Sequence, residues 1–327
     1  RTLAQGGQGG CAFGGTPAIA VRVAVTGASG FVGGHVARTV AAMGHEVLSY
    51  GRRDVAELHD PPPNYASWDV TAGAIATVDV DAVIHSGAHV GDWGRYSTFY
   101  AANVDGTRAV LESFPRAARF VHISSSSVYS DGVHKFGVRE DAPIGDCRFS
   151  SYGRTKALAE RVVLERRPDA VVLRPHIVYG PGDTTLLPRV LAARRFGRLP
   201  IPGNGRNRVS VTHIENLVSA VTSTLTSEST GVFNVADAET TTVDELLRTI
   251  LARVGVPARI VHVPRAVAWQ IATLLERVWP NREGRSGPPL TRYAVMHLSD
   301  DHTLDITRAR TLLGYAPRWT FRDGPLA

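Results

Sequence analysis

The sequence is poor in cysteine, poor in lysine and without a long apolar run, and each shortage removes a class of function. Cys11 and Cys147 are the only cysteines among 327 residues. Two thiols make neither a disulfide framework nor a cysteine-based metal cluster, and they suit a reducing, cytoplasmic setting. No stretch reaches the roughly 18 apolar residues of a membrane span. The longest candidate, Val263 to Trp279, is broken by Arg265, Gln270, Glu276 and Arg277. Zinc-finger spacing, RNA-binding signatures and internal repeats are missing as well. The net charge of +6 comes from arginines scattered along the chain rather than gathered in one run, so nucleic acid is not the expected partner. His85 and His89 stand four apart without an HExxH pattern, at a strand end and in the loop after it. That position suits a packed or cofactor-lining role better than zinc, and no metal is expected.

The lysine shortage singles out one stretch. Of 36 basic residues only Lys135 and Lys156 are lysine. Lys156 follows Tyr152 by four positions in Tyr152-Gly153-Arg154-Thr155-Lys156, which sets both on one helical face. An ammonium there can stabilise a phenolate, lower the tyrosine from its ordinary value of about 10, and fit it to move a proton at an alcohol or carbonyl oxygen. A guanidinium is larger, planar and never deprotonated, so arginine is no substitute.

What is present is an ordinary globular balance, 43% hydrophobic and 20% charged. Residues 1–20 are glycine-rich and lack the basic–apolar–cleavage pattern of a signal peptide, and they are expected to form a flexible leader. From Val21 the chain alternates strand and helix. Strands are predicted over Val21–Val25, Glu46–Tyr50, Tyr65–Val70, Asp81–His85, Arg119–Ser124, Ala170–Arg174 and Val232–Val235. A helix is predicted to run to about Met43, with later helices over Val243–Val254 and Arg265–Val278. Alternation of this kind means a Rossmann-type, doubly wound parallel sheet, joined here to a smaller, mostly helical C-terminal lobe. The expected division is a cofactor domain over 21–174 plus about 213–238, and a substrate lobe over about 175–212 and 239–327.

Gly27, Ser29, Gly30, Phe31, Val32 and Gly33 lie in a glycine-rich turn directly after the first strand and directly before the first helix. Glycines admit the backbone close to a pyrophosphate, and the helix N-terminus offers free N–H groups. At the end of the second strand, where a carboxylate would take the ribose hydroxyls of NAD, stands Gly51, followed by Arg52 and Arg53. Two guanidinium groups suit a 2′-phosphate, which predicts NADP(H) over NAD(H). Asp69 and Val70 are expected to meet the adenine edge.

These features together resemble the extended short-chain dehydrogenase/reductase family. The matching residues are Thr26 to Gly33, Asp69, His85-Ser86-Gly87-Ala88, Asn103 with Gly106-Thr107, Ser124 to Tyr129, Tyr152 with Lys156, Arg174-Pro175 and Gly314 to Pro317. The resemblance implies that Tyr152 is the acid/base, that Lys156 tunes it and holds the nicotinamide ribose, and that Ser125 hydrogen-bonds the reacting oxygen. The serine run also offers Ser124, Ser126 and Ser127 in neighbouring registers. Ser86, Gly87, Ala88, Asn103, Ser124, Pro175 and Ile177 are implied cofactor neighbours. Asn103 reads equally as the N-cap of a helix over Val104–Ser113. Ser126 and Ser127 replace the Asp-Glu pair of the family's dehydratases, so sugar dehydration is not expected.

Gly91 to Gly94 with Tyr100, Arg174 to Asp183, and Thr303 to Pro317 resemble the 3β-hydroxysteroid dehydrogenase-like branch, which includes 2-alkyl-3-oxoalkanoate reductases. That likeness implies an oxidoreductase acting at a secondary alcohol or ketone on an apolar skeleton, with Trp93, Ser126, His176, Tyr179 and Leu187 as implied substrate neighbours. The stripe Val267, Ile271, Leu274, Leu275 and Val278, with Trp269 and Trp279 nearby, suits such a skeleton or the lobe's own core. The alternatives are a nucleotide-sugar epimerase with retained NAD and a non-catalytic NADP-sensing regulator. The family also makes a homodimer an expectation.

Overall fold

The structure, a computed structural model, describes residues 20–131, 135–280 and 287–326. The expected leader therefore lies outside the described residues, Ala20 excepted. Six strands open the sheet: β1 (Arg22–Thr26), β2 (Glu46–Gly51), β3 (Tyr65–Ser67), β4 (Ala82–His85), β5 (Arg119–Ile123) and β6 (Val171–Pro175). Gly231–Val235 completes it, and the order is Gly231–Val235, β6, β5, β4, β1, β2, β3. Every pairing is parallel. The strand order reverses between β1 and β4, so a crevice opens at their carboxyl ends, where a doubly wound sheet takes its ligand.

Near-continuous apolar runs make these strands, because a parallel sheet is covered on both faces. Val23, Ala24 and Val25 of β1 are wholly buried. Helix α1 (Phe31–Ala42) and the helix Ile214–Thr226 cover one face through Val36, Val40, Leu217 and Val221. The helices Gly106–Ser113 and Ser151–Arg166 cover the other through Val110 and Val163. A separate core of Leu199, Ile201, Leu246 and Ile250 organises the C-terminal part, where Arg198–Pro202 pairs with Arg259–Val263. The helices Arg265–Val278 and Arg292–Ser299 pack through Ala268, Ala272 and Val295.

Three expectations need correction. The third strand stops at Ser67 rather than Val70, because the Asp69 carboxylate caps the next turn by accepting from Thr71 N at 2.9 Å. Asn103 is not an N-cap. It lies inside a π-helical turn, Ala101–Asp105, that runs straight into Gly106–Ser113. The apolar stripe of Arg265–Val278 does not pack in the lobe core: among its residues Ile271 is 45% exposed and Leu274 62%. Helical periodicity finds a face but not its partner, and the small Ala268 and Ala272 are the residues this helix buries.

Candidate active site

The glycine turn is built for close approach. Gly27 has φ +74°, and a Cβ on it would stand 2.6 Å from Gly87 N, so β1 and β4 meet there backbone to backbone. Gly30 precedes α1 without a side-chain cap, which leaves the first N–H groups of that helix directed into the crevice. Ser86 Oγ donates to Thr26 O at 2.7 Å and fixes the mouth of the crevice. This cradle fits a pyrophosphate.

The adenosine end differs in detail from expectation. Arg53 donates to Ser29 O, while Arg52 forms no ion pair among the described residues. A recess of about 180 Å³ beside the glycine turn is lined by Ser29, Gly30, Arg38, Arg53 and Asp60. Arg38, on α1, pairs with Asp60 at 2.8 Å. Arg38 was invisible to sequence reading, since an arginine on an amphipathic helix carries no signal of its own.

Ser150 caps the tyrosine helix by accepting from Gly153 N at 2.9 Å, and Gly153 has no room for a side chain against Ser127 O. The helix thereby lies close on the serine turn that follows β5. Of the four serines it is Ser125 whose hydroxyl acts on the Tyr152 phenol and draws its pKa down, while the same Oγ donates to Ser127 Oγ at 3.1 Å. Ser124 donates instead to the Glu160 carboxylate, and Ser126 Oγ lies 2.6 Å from His176 Nδ1. Arg174 forks onto the same Glu160 at 2.6 Å in a buried ion pair.

Burial pushes the Tyr152 phenol up to about 12, against the hydrogen bond from Ser125. Lys156 is not among the groups that shift the phenol. Lys156 Nζ turns toward β5, donating to Ile123 O at 2.7 Å and lying 3.0 Å from His122 Nε2. Burial brings Lys156 down to about 7, with the Glu160 carboxylate opposing. Spacing fixes where two side chains start, not where a four-carbon stem ends. Asn103 joins the site's two sides: Oδ1 accepts from His89 N at 2.7 Å and Nδ2 donates to Thr155 Oγ1 at 3.0 Å.

Of the implied substrate neighbours, Trp93 is half-buried, its side chain against Gly287. Leu187 packs against the C-terminal core, and Tyr179 is buried there with its hydroxyl on Asp237 at 2.7 Å. Ser126 and His176 are buried behind the serine turn. Ile177 takes a positive φ of 41°, an uncommon state for a β-branched residue, at the point where the chain leaves β6 for the lobe.

Sequence reading missed two groups. Tyr293, from Arg292–Ser299, places its hydroxyl 2.8 Å from Ser127 Oγ. Behind it His176, His297 and His302 form an imidazole stack. Their ring nitrogens lie within 4.8 Å of one another. The planes of His176 and His302 are 4.0 Å apart at centroid and inclined by only 17°. Lone pairs lie in the ring planes, so rings stacked in this way do not aim at one ion, and the trio is not arranged as a metal centre.

A family model described as NAD dependent epimerase/dehydratase family matches residues 23–236. The chain belongs to that family. A 2-alkyl-3-oxoalkanoate reductase of Stenotrophomonas maltophilia is 33% identical over 93% of this chain and 97% of its own length. A 3β-hydroxysteroid dehydrogenase/Δ5→4-isomerase of Mycobacterium tuberculosis is 31% identical over 91% and 87%. Both fall in the branch that the sequence resembles. The solved UDP-glucuronic acid 4-epimerase from Bacillus cereus in complex with NAD has a TM-score of 0.68 at 22% identity, over 93% of this chain and 95% of that one, and shows a shared fold. A nicotinamide dinucleotide is thus the cofactor class, and the glycine cradle fits it. Among the described residues no helix is long and apolar enough to cross a membrane.

Proposed function

We propose that this chain is an NADP(H)-dependent reductase or alcohol dehydrogenase acting at a ketone or secondary alcohol on an apolar substrate, of 3-oxoacyl, steroid or polyketide-like type. The observation that carries this reading is the tyrosine helix packed on the serine turn after β5, with Gly153 against Ser127 O and the Ser125 hydroxyl beside the Tyr152 phenol, at the strand end next to the glycine cradle. A bound nicotinamide would supply or accept the hydride. Tyr152 holds its proton at neutral pH, since burial raises it to about 12, and donates it to the carbonyl oxygen as negative charge develops. Ser125 steadies the same oxygen. Lys156 and Asn103 hold β5, the His89 loop and the tyrosine helix in register. Arg53 in the recess supports NADP(H), because Gly51 rather than a carboxylate ends β2, and the Asp60 carboxylate in the same recess is paired with Arg38. The reductase and hydroxysteroid dehydrogenase relatives, similar over nearly the whole chain, support the apolar substrate class.

NADPH oxidation against 3-oxo acids, 3-oxosteroids and polyketide-like ketones tests the reading. Tyr152→Phe should lower kcat by about a thousandfold or more while leaving cofactor affinity within about twofold. Near-wild-type turnover in that variant ends the proposal. A preference for NADH that survives Arg52→Ala and Arg53→Ala removes NADP(H) from it. Turnover of a UDP-sugar with no net NADPH oxidation selects an epimerase instead.

A further inference from the structure

Phe196 is 100% exposed, more than any other large apolar residue described. It stands at the tip of a hairpin in the C-terminal part. Arg195 and Arg198 exchange backbone hydrogen bonds at 2.8 and 2.9 Å, which closes a two-residue loop over Phe196 and Gly197. Both loop residues take positive φ, 49° and 70°, as the tightest hairpin turns require. Asparagine or aspartate before glycine is the favoured pair there, and a bulky side chain at positive φ is an outlier. The chain accepts that strain to hold an aromatic ring in solvent. A ring wholly in solvent buries nothing, so the fold gains nothing from it.

Charge of one sign surrounds the ring. Residues 184–214 contain six arginines and no carboxylate. Residues 246–275, which supply the neighbouring strand Arg259–Val263, contain four arginines and no carboxylate either. Gly197 O accepts from Arg259 N at 2.8 Å, so Arg195, Arg198 and Arg259, all exposed, share the hairpin end. Arginines elsewhere in the lobe find carboxylates, such as Arg248 on Asp244 and Arg265 on Asp300. Those three form no ion pair among the described residues. Leu191, on the helix that enters the hairpin, is exposed as well.

We propose that this hairpin docks the protein on an anionic lipid bilayer, with Phe196 in the headgroup boundary and Arg195, Arg198 and Arg259 on lipid phosphates. An apolar side chain among unpaired cations is what a negatively charged leaflet attracts, because apolar burial and electrostatics add there. A nucleic acid satisfies the arginines but not the lobe's second exposed apolar face, that of Ile271 and Leu274. A second copy set hairpin to hairpin brings arginine against arginine with no carboxylate between them. Docking of this kind is independent of the reaction proposed above.

The test is co-sedimentation of the full-length protein with large unilamellar vesicles, read as a partition coefficient. One set is phosphatidylcholine alone, and the other contains about 30% phosphatidylglycerol. Wild type should favour the anionic vesicles by about tenfold or more, and raising the salt from about 0.1 M to about 0.5 M should remove most of that preference. Phe196→Asn should weaken binding to anionic vesicles by about tenfold. Its urea midpoint should stay level or rise, because asparagine suits the turn. Arg195→Gln combined with Arg198→Gln should also weaken binding by about tenfold and lessen its dependence on salt. The proposal is overturned if wild type binds both lipids equally or neither, or if Phe196→Asn binds as wild type does. It is overturned too if Phe196→Asn lowers the urea midpoint, which marks a ring that serves the fold. Without vesicle binding, a wild-type dimer that Phe196→Asn makes monomeric assigns the hairpin to a second copy. Retention of a duplex oligonucleotide that the arginine variant loses, again without vesicle binding, assigns it to nucleic acid.

Discussion

Two groups of buried histidines flank the serine turn, and they use their polar atoms differently. On the sheet side His85 spends both ring nitrogens, one on Thr26 Oγ1 at 2.7 Å and the other on Thr107 Oγ1 at 3.0 Å. His122 meets Lys156, and the two rings lie 5.2 Å apart. On the lobe side His176 and His302 are as deeply buried, yet Nε2 of each has no partner. Burial lowers the pKa of every one of these rings, so both groups are neutral at pH 7. An unsatisfied buried nitrogen costs about 1–3 kcal/mol. The sheet-side group is therefore scaffold, spent on holding strand ends and a lysine, with His122 Nδ1 its one unpaired atom. The lobe-side group keeps polar capacity in reserve beside a cavity, and a ligand that bonds those nitrogens recovers the cost.

The hardest way to break this contrast is to remove the lysine. Lys156→Met leaves Ile123 O and His122 Nε2 without their partner and should lower kcat by roughly a hundredfold or more, if Lys156 supports Tyr152 as proposed. It should also change how stability depends on pH. Burial holds Lys156 at about 7 in the folded chain, against an ordinary value of 10.5. Between those values the unfolded chain binds a proton that the folded chain does not, so this group makes stability rise with pH from about 7 to about 10.5. Below 7 both states are protonated, and the penalty is constant. Urea unfolding at pH 7 and pH 9.5 should show the gain in wild type and a smaller one in Lys156→Met. Equal gains in the two proteins would mean that Lys156 is not held neutral by its surroundings.

A smaller effect separates the two histidine groups directly. His85 and His297 are both brought down to about 3 by burial, with Lys156 adding to the first and Lys135 to the second. Between about 6.5 and 3 the unfolded histidine binds a proton that the folded one refuses, so each contributes a loss of stability as pH falls through that window and none above it. His85→Gln should cost about 1–3 kcal/mol at pH 7, because it disturbs two buried hydrogen bonds. His297→Gln, which breaks no hydrogen bond shown for its ring, should cost about 1 kcal/mol or less at pH 7. Both variants should lose less than wild type on going to pH 4.5. Urea midpoints at the two pH values decide it, and equal losses at pH 7 would erase the distinction between scaffold and reserve.

The same contrast marks what was legible in the sequence. The cofactor half was readable because each of its devices is local: a glycine turn between a strand and a helix, apolar runs of strand length, and a tyrosine and lysine one helical turn apart. Gly231–Val235 and Arg265–Val278 fell within a residue of their predicted bounds for the same reason. What depended on long-range placement was not readable. Tyr293 meets Ser127 across 166 positions, and its helix carries no motif. Only the pair Tyr293 and His297, one turn apart, hinted at an aromatic face there. The direction of Lys156 Nζ was hidden because β5 sets it from outside the helix. The stripe of Val267, Ile271, Leu274 and Val278 was visible as a face, but nothing in periodicity told that it points outward.

The smallest expected effect sits at the seam between the two groups. Ser125 and Ser126 are neighbours in sequence, yet one hydroxyl faces Tyr152 and the other faces His176. Ser126→Ala removes a 2.6 Å contact from a fully buried pair and leaves His176 with neither ring nitrogen bonded. The cost should be about 1–2 kcal/mol of stability, read from a shift in urea midpoint, with kcat within about threefold of wild type. Ser125→Ala should weigh the other way, lowering kcat by roughly ten- to a hundredfold because its hydroxyl steadies the reacting oxygen, at a stability cost of about 1 kcal/mol for the lost cap on Ser127 N. If Ser126→Ala proved the more damaging to turnover, the proposed register would move by one residue, and the imidazole stack would belong to the chemistry instead of to the wall behind it.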